Sequence, residues 1–268
     1  MSLNTFFHQH PVFTRDELLC QLGDMKSGTP NPNTVRALLS YHQGKGHILQ
    51  VRRGLFASVT PGVDPEQAPV DAYLIAAKSQ ENAILAFHTA LELHGLAYSS
   101  FESIQVLSER PLRPWSFRGV TYQPVKVQEA LQRAGKTHWG VETMDRFGQD
   151  IQVTSRERTF VDVLDRPDLG GGWEEVWRSL ETLRVLVMDD VLTYVGFLGN
   201  ATTAALVGFY LEQHQEGLAV DEGVLRNLEA LRPKGAHYLD STQESRLAKR
   251  WNLIVPVAVW KRSWEEPR

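Results

Sequence analysis

Among 268 residues there is one cysteine, Cys20. A single thiol closes no internal disulfide and builds no cysteine metal cluster, which excludes a disulfide-stapled module and a zinc ribbon. Cys20 lies in an apolar-periodic segment and reads as a buried core thiol, in keeping with a reducing cytoplasm. No apolar run approaches the roughly 18 residues of a membrane-spanning helix. The opening MSLNTFFHQHP has neither the basic start nor the apolar middle of a signal peptide. It reads instead as a first helix with Leu3, Phe6 and Phe7 turned inward. Charge of one sign is also scarce: 28 Lys and Arg stand against 32 Asp and Glu, a net of −4. That total alone does not mark a nucleic-acid binder.

Catalytic signatures are missing as well. There is no H-E-x-x-H, no G-x-S-x-G, no Walker loop and no G-x-G-x-x-G after a strand. Gly170–Gly172 lacks the following Lys-Ser/Thr of a phosphate loop and reads as a connection between helices. Of nine histidines only His8 and His10 have chelate spacing. No carboxylate or cysteine adjoins them, and they read as solvent-facing. His88 and His94 read as hydrogen-bonded core or helix-end side chains. The acid-x-lysine half of a nuclease site occurs at Asp24-Met25-Lys26, in an expected loop with no strand to hold it. Asp162 and Asp165 share a helix face without a third ligand; Glu157, Arg158 and Asp162 read as an ion-pair network. No catalytic residue, metal ligand or cofactor is assigned, and the chain is not expected to be an enzyme.

What is present concentrates near the start. Thr14 caps a helix over Arg15–Leu22, with Leu18, Leu19 and Leu22 on one side and Glu17 in its first turn. Gly23 is its expected stop, and a polar turn covers Asp24–Asn31. Asn31 as N-cap and Pro32 at the first helical position then open a helix to Gln43. Val35, Leu38, Leu39 and His42 form its buried stripe. Asn33, Thr34, Arg36, Ser40 and Tyr41 lie on the other face, with donors and acceptors suited to base edges and phosphates. Lys45 follows in a Gly-Lys-Gly stop. Ile48–Arg52, an Arg53-Gly54 turn and Leu55–Val59 form a hairpin with Arg52 and Arg53 at its tip. This order predicts a winged helix-turn-helix over residues 1–60, with those eight residues as its DNA contacts. A helical domain whose hairpin binds protein is the competing reading. Residues 1–58 carry a net +3, which leaves −7 for the remainder of the chain. A basic head on an acidic body fits a DNA reader joined to a regulatory domain.

Three prolines and a glycine in TPGVDPEQAPV mark a linker. Beyond it, residues 71–268 predict an α+β domain of antiparallel hairpins followed by helices. Helices are expected over Asp71–Gln80 and Glu81–His94. Strands follow at Ser103–Leu107, Trp115–Phe117, Val120–Pro124, Thr137–Met144 and Gln149–Thr154. Ser155 caps a helix that Pro167 closes. Further helices are expected at Trp173–Val187, Asp189–Gly196, Ala201–Gln215 and Asp221–Leu231, before a strand at Asn252–Trp260.

The hairpin Val51-Arg52-Arg53-Gly54-Leu55-Phe56-Ala57 is followed by Asp71-Ala72-Tyr73-Leu74-Ile75-Ala76 and Ala90-Leu91-Glu92-Leu93-His94-Gly95-Leu96. Val153-Thr154-Ser155-Arg156-Glu157-Arg158-Thr159-Phe160-Val161-Asp162 and a late Trp251-Asn252-Leu253-Ile254-Val255-Pro256 complete the series. In this order the chain resembles the AbiEi antitoxins of type IV toxin–antitoxin systems over nearly its whole length. The resemblance implies a bacterial autorepressor that binds inverted repeats of double-stranded promoter DNA and opposes a nucleotidyltransferase-type toxin. The toxin's Gly-Ser-x-Asp type signature is missing here. Two other classes stay open on the residues alone. One is a nuclease or nucleotidyltransferase-like enzyme with a DNA-binding head; the other is a protein-binding inhibitor module.

Overall fold

The computed structural model describes residues 3–26 and 31–262. The chain opens with α1 (Leu3–Gln9), β1 (Val12–Thr14), α2 (Arg15–Lys26), α3 (Pro32–Gly44), β2 (Ile48–Arg52) and β3 (Leu55–Ser58). Thr14 and Glu17 form a reciprocal cap on α2. The Glu17 amide donates to Thr14 Oγ1 at 3.2 Å and the Thr14 amide to Glu17 Oε2 at 2.7 Å. Gly23 does not stop α2, which continues to Lys26, so Asp24-Met25-Lys26 lies on the helix and not in a turn. Residues 27–30 of the expected turn lie outside the described residues. Cys20 is exposed on α2, not buried, because Leu18 and Leu22 take the inward face. On α3 the Asn31 side chain accepts from the Asn33 amide at 2.9 Å, and Val35, Leu39 and His42 are buried.

The three short strands form one antiparallel sheet in the order β1-β3-β2. Alternation along it serves two cores. Phe13, Ile48 and Phe56 face α1–α3 and pack with Phe6, Phe7, Leu18, Val35 and Leu39. Val12, Leu55 and Ala57, with half-buried Leu49 and Val51, face the other way and pack on the second half of the chain. Residues 60–70 join the halves without helix or strand.

The second half begins with α4 (Ala72–Ala77), β4 (Ile84–Leu85), α5 (His88–Leu93), β5 (Ser103–Ser108), β6 (Trp115–Phe117), β7 (Val120–Lys126), α6 (Glu129–Arg133), β8 (Val141–Arg146) and β9 (Gln149–Thr154). Its six-stranded sheet has the order β6-β7-β5-β4-β9-β8. The hairpins β6–β7 and β8–β9 are antiparallel, but parallel pairs β5–β7 and β4–β9 make the sheet mixed. The helix expected over Glu81–His94 is a strand and a short helix. Asn82 and Phe87 have positive φ, and Ile84-Leu85 sits in mid-sheet, buried on both faces. A short apolar run carries no period that separates these outcomes. The strand expected from Thr137 starts only at Val141, after turns around Gly140.

Helices follow: α7 (Arg156–Asp165), α8 (Trp173–Leu180), α9 (Met188–Leu198), α10 (Ala201–Gln213) and α11 (Glu222–Leu231). Helix α8 ends before the expected Val187. A small sheet of β10 (His237–Tyr238), β11 (Ser245–Ala248) and β12 (Leu253–Pro256) leads to α12 (Val257–Lys261). The expected last strand thus ends at Pro256, and its second half is helical. The architecture is α+β, with mixed and antiparallel sheets and a helical layer. Among the described residues, no helix is long and apolar enough to cross a membrane.

Candidate functional site

Helix α3 turns Asn33, Thr34, Arg36, Ser40 and Tyr41 to solvent, with Tyr41 58% exposed. Its Arg36–Ser40–Gln43 flank is one wall of a cleft of about 1340 Å³. Thr14–Glu17 at the start of α2 form a second wall and Gln50–Gly54 of the hairpin a third. Residues 77–81, the connection from α4 to β4, form the fourth. The hairpin turn is tied to α2, because the Arg15 amide donates to the Gly54 carbonyl at 2.8 Å. Strand β1 pairs with β3 as far as Leu55. The turn Arg53-Gly54 is therefore level with the head of α2 and does not project beyond the sheet. Gln43 Nε2 reaches Gln50 Oε1 at 3.5 Å and links α3 to the hairpin.

Five cations line this cleft: Arg15, Arg36, Arg52, Arg53 and Lys78, against Asp16, Glu17 and Glu81. Two of the five are engaged. Lys78 pairs with Glu17 across the two halves of the chain. Burial works against the ionised Glu17, but its bonds to Lys78 and Thr14 hold the carboxyl below its ordinary value. Arg52 lies over the Trp115 ring, 4.8 Å from its centroid, and Trp115 in turn stacks on buried Tyr122 at 4.2 Å. The sequence reading gives Arg52 and Arg53 the same DNA-contact role, and here their surroundings differ: Arg52 is seated on the second sheet. Arg15, Arg36 and Arg53 have no carboxylate within ion-pair distance among the described residues. Lys45, also exposed, sits at the C-cap of α3 and outside the cleft. Of the eight residues expected to contact DNA, Arg36, Ser40, Arg52 and Arg53 are brought together. Asn33, Thr34 and Tyr41 lie on the more outward face of the same helix.

Sequence reasoning missed Arg15, Gln43, Gln50 and the 77–81 wall. Arg15 had a signal, a basic side chain in the first turn of the helix that precedes α3. The distant wall had none.

Several buried polar groups elsewhere are bonded to one another. Arg158 and Asp162 are buried, with Arg158 Nη1 donating to the Thr137 and Trp139 carbonyls at 2.7 Å each. The Arg158–Asp162 contact is 3.4 Å, and the Tyr194 hydroxyl donates to Asp162 Oδ1 at 2.6 Å. Burial pushes the Asp162 carboxyl up to about 6, against the pull of Arg158 and Tyr194. Glu157 does not join this network; it accepts from the Val187 amide at 3.1 Å. Buried His88 stacks on Phe101 and lies 3.1 Å from Glu175 Oε1, while His94 Nε2 meets the Thr154 carbonyl at 2.7 Å. His10 is half-buried and stacked on Phe6, not solvent-facing. Gly170–Gly172 connects α7 to α8, where Phe101 and Glu175 crowd Gly171. Among the described residues there is no group of three or more His, Cys, Asp or Glu placed to hold a metal ion.

No family model matches the chain, and no curated protein matches it either. A solved structure does: the RV2827C protein from Mycobacterium tuberculosis, with a TM-score of 0.63 and 16% identity. The match covers 97% of this chain and 92% of the mycobacterial one. At that identity the likeness concerns the fold. It spans both halves of the chain.

Proposed function

We propose that the chain is a DNA-binding transcriptional regulator, the antitoxin of a type IV toxin–antitoxin system. In this reading it represses its own promoter and opposes a nucleotidyltransferase-type toxin in the cytoplasm. The N-terminal unit is taken as a winged helix-turn-helix, with α2 and α3 as the helix pair and β2–β3 as a short wing. Helix α3 is the reading helix in the major groove. The observation that carries the proposal is the set of Arg15, Arg36 and Arg53 around the exposed flank of α3, without carboxylate partners among the described residues. Cations left unpaired beside a polar helix face suit a polyanion whose bound counterions they displace. The antitoxin assignment rests on the ordered motif series described above. Two of its motifs, Glu157–Asp162 and Ala90–Leu96, carry residues of the buried Arg158–Asp162 and His88–Glu92 groups, which favours structural over catalytic roles.

Arg36 provides the test. Arg36→Ala should weaken binding to duplex from upstream of the chain's own gene by about 1–3 kcal/mol, the worth of one good base contact. Random duplex of equal length should lose much less. Equal losses on both duplexes would make Arg36 a phosphate contact. No binding of wild-type protein to either duplex would end the DNA reading.

A further inference from the structure

The cleft beside α3 has a wall that the reading head does not own. Residues Ala77–Glu81 belong to the second half, yet they line the same space as Arg36, Ser40 and Arg53. That wall is fixed. Lys78 is ion-paired to Glu17 on α2, and Gln80 Nε2 donates to the Leu107 carbonyl of β5 at 2.6 Å. The hairpin wall is fixed from the same side by Arg52 on Trp115 of β6. The apolar back of the head, Val12, Leu55 and Ala57, is buried against the second half. The cleft is thus a slot between two halves of one molecule, with contacts bracing both walls. Its three arginines without a carboxylate partner among the described residues, with Ser40, Gln43 and Gln50 beside them, fit a phosphodiester backbone.

We infer that one backbone strand of duplex DNA runs through this slot, between the α3 flank and residues 77–81. The second half is then part of the DNA footprint. This inference rests on the DNA reading proposed above and extends it to residues outside the head. It assigns Glu81 a specific place. Glu81 is exposed on the far wall, and among the described residues no cation pairs with it. A carboxylate there faces the passing phosphates and weakens binding.

The experiment is a charge reversal with a matched control, in the full chain. Glu81→Lys removes the repulsion and adds a phosphate partner. Glu244→Lys makes the same change in net charge at an exposed residue in the C-terminal sheet region. Affinity for duplex DNA is measured by fluorescence anisotropy over a salt series, with Arg53→Ala alongside. Glu81→Lys should tighten binding and steepen the slope of log K against log salt by about 0.9. Its advantage over wild type should therefore shrink about three- to fourfold between roughly 50 and 200 mM salt. Glu244→Lys should leave the slope unchanged. If Glu81→Lys behaves as Glu244→Lys while Arg53→Ala weakens binding, DNA is bound but the far wall lies outside the footprint, and the inference falls. If both reversals tighten binding equally, net charge is the cause and the inference falls. If Arg53→Ala and Arg36→Ala change nothing, the DNA reading itself fails and the inference goes with it.

Discussion

Arg52 and Arg53 are neighbours in sequence, but removing each should have a different consequence. Arg53 sits at the exposed hairpin turn with no carboxylate partner among the described residues. Its truncation should cost the fold no more than about 0.5 kcal/mol, the usual range for a surface change. If it contacts one phosphate, the slope of log K against log salt should fall by about 0.9. Arg52 lies 4.8 Å from the centroid of Trp115. Losing that contact should cost about 0.5–1 kcal/mol of folding stability, the worth of an exposed cation–π pair. In a chain of this size that lowers the melting temperature by about 1–4 °C. A double-mutant cycle of Arg52→Ala with Trp115→Leu should recover a coupling of about the same size. The salt slope of Arg52→Ala should stay close to wild type. Anisotropy titrations over a salt series and thermal melts followed by circular dichroism read both quantities. A slope that falls equally in both single variants would mean that Arg52 leaves Trp115 for a phosphate. A slope unchanged in both would remove the hairpin from the interface.

Glu17 and Tyr194 give further expectations. The Glu17 carboxyl is held below its ordinary value in the folded chain, so its contribution to stability is complete above the unfolded value of 4.5. That contribution is lost as pH falls through the lower folded value. Glu17→Gln keeps the cap on α2 but removes this pH dependence. The wild-type advantage in melting temperature should be present at neutral pH and vanish in acid; an advantage that persists in acid would exclude the charged pair with Lys78 as its source. Tyr194→Phe removes the hydroxyl that bonds buried Asp162. It should lower stability by about 2 kcal/mol, the worth of a bond to a charged group, read from denaturant midpoints at constant m. Wild-type stability in that variant would show that Arg158 alone satisfies the carboxylate.

Local chemistry was legible where one short stretch decides the outcome. Asn31-Pro32 announces the start of α3, and the Asn31 side chain does cap it. Ser155 caps α7 in the same way, accepting from the Arg158 amide at 3.3 Å. Arg118-Gly119 turns the β6–β7 hairpin with both residues at positive φ. The illegible elements share a different property. Val12–Thr14 and Ile84–Leu85 are short strands buried in the middle of packing, and neither shows an alternation to read. Gly23 looked like a stop, but a glycine inside a helix costs only about 1 kcal/mol. The candidate site divides along the same line. The exposed residues of α3 follow from helical period. The seat of Arg52 on Trp115 and the wall at 77–81 depend on how two distant segments pack, and no local pattern encodes that.

That packing also decides what kind of unit the head is. A sheet with one solvated face would leave residues 1–58 as a separable module on a linker. Here the second face is occupied: Val12, Leu55 and Ala57 are buried against Leu74, Ile104, Tyr122 and Val153. A segment of about 60 residues buries only about 60% of its surface and is marginal even with an intact core. Exposing several aliphatic side chains at about 1.5–3 kcal/mol for each large one exceeds what such a core supplies. The linker composition of residues 60–70 therefore describes the backbone path and not the mechanics. The head is held by its apolar back, and its polar front, the α3 flank with Arg15, Arg36 and Arg53, is left facing the cleft. An arrangement of this kind fixes the spacing between Arg36 and residues 77–81 before any ligand arrives. Binding then orders few additional groups, and the entropy lost on association is smaller than for a head tethered by a flexible segment.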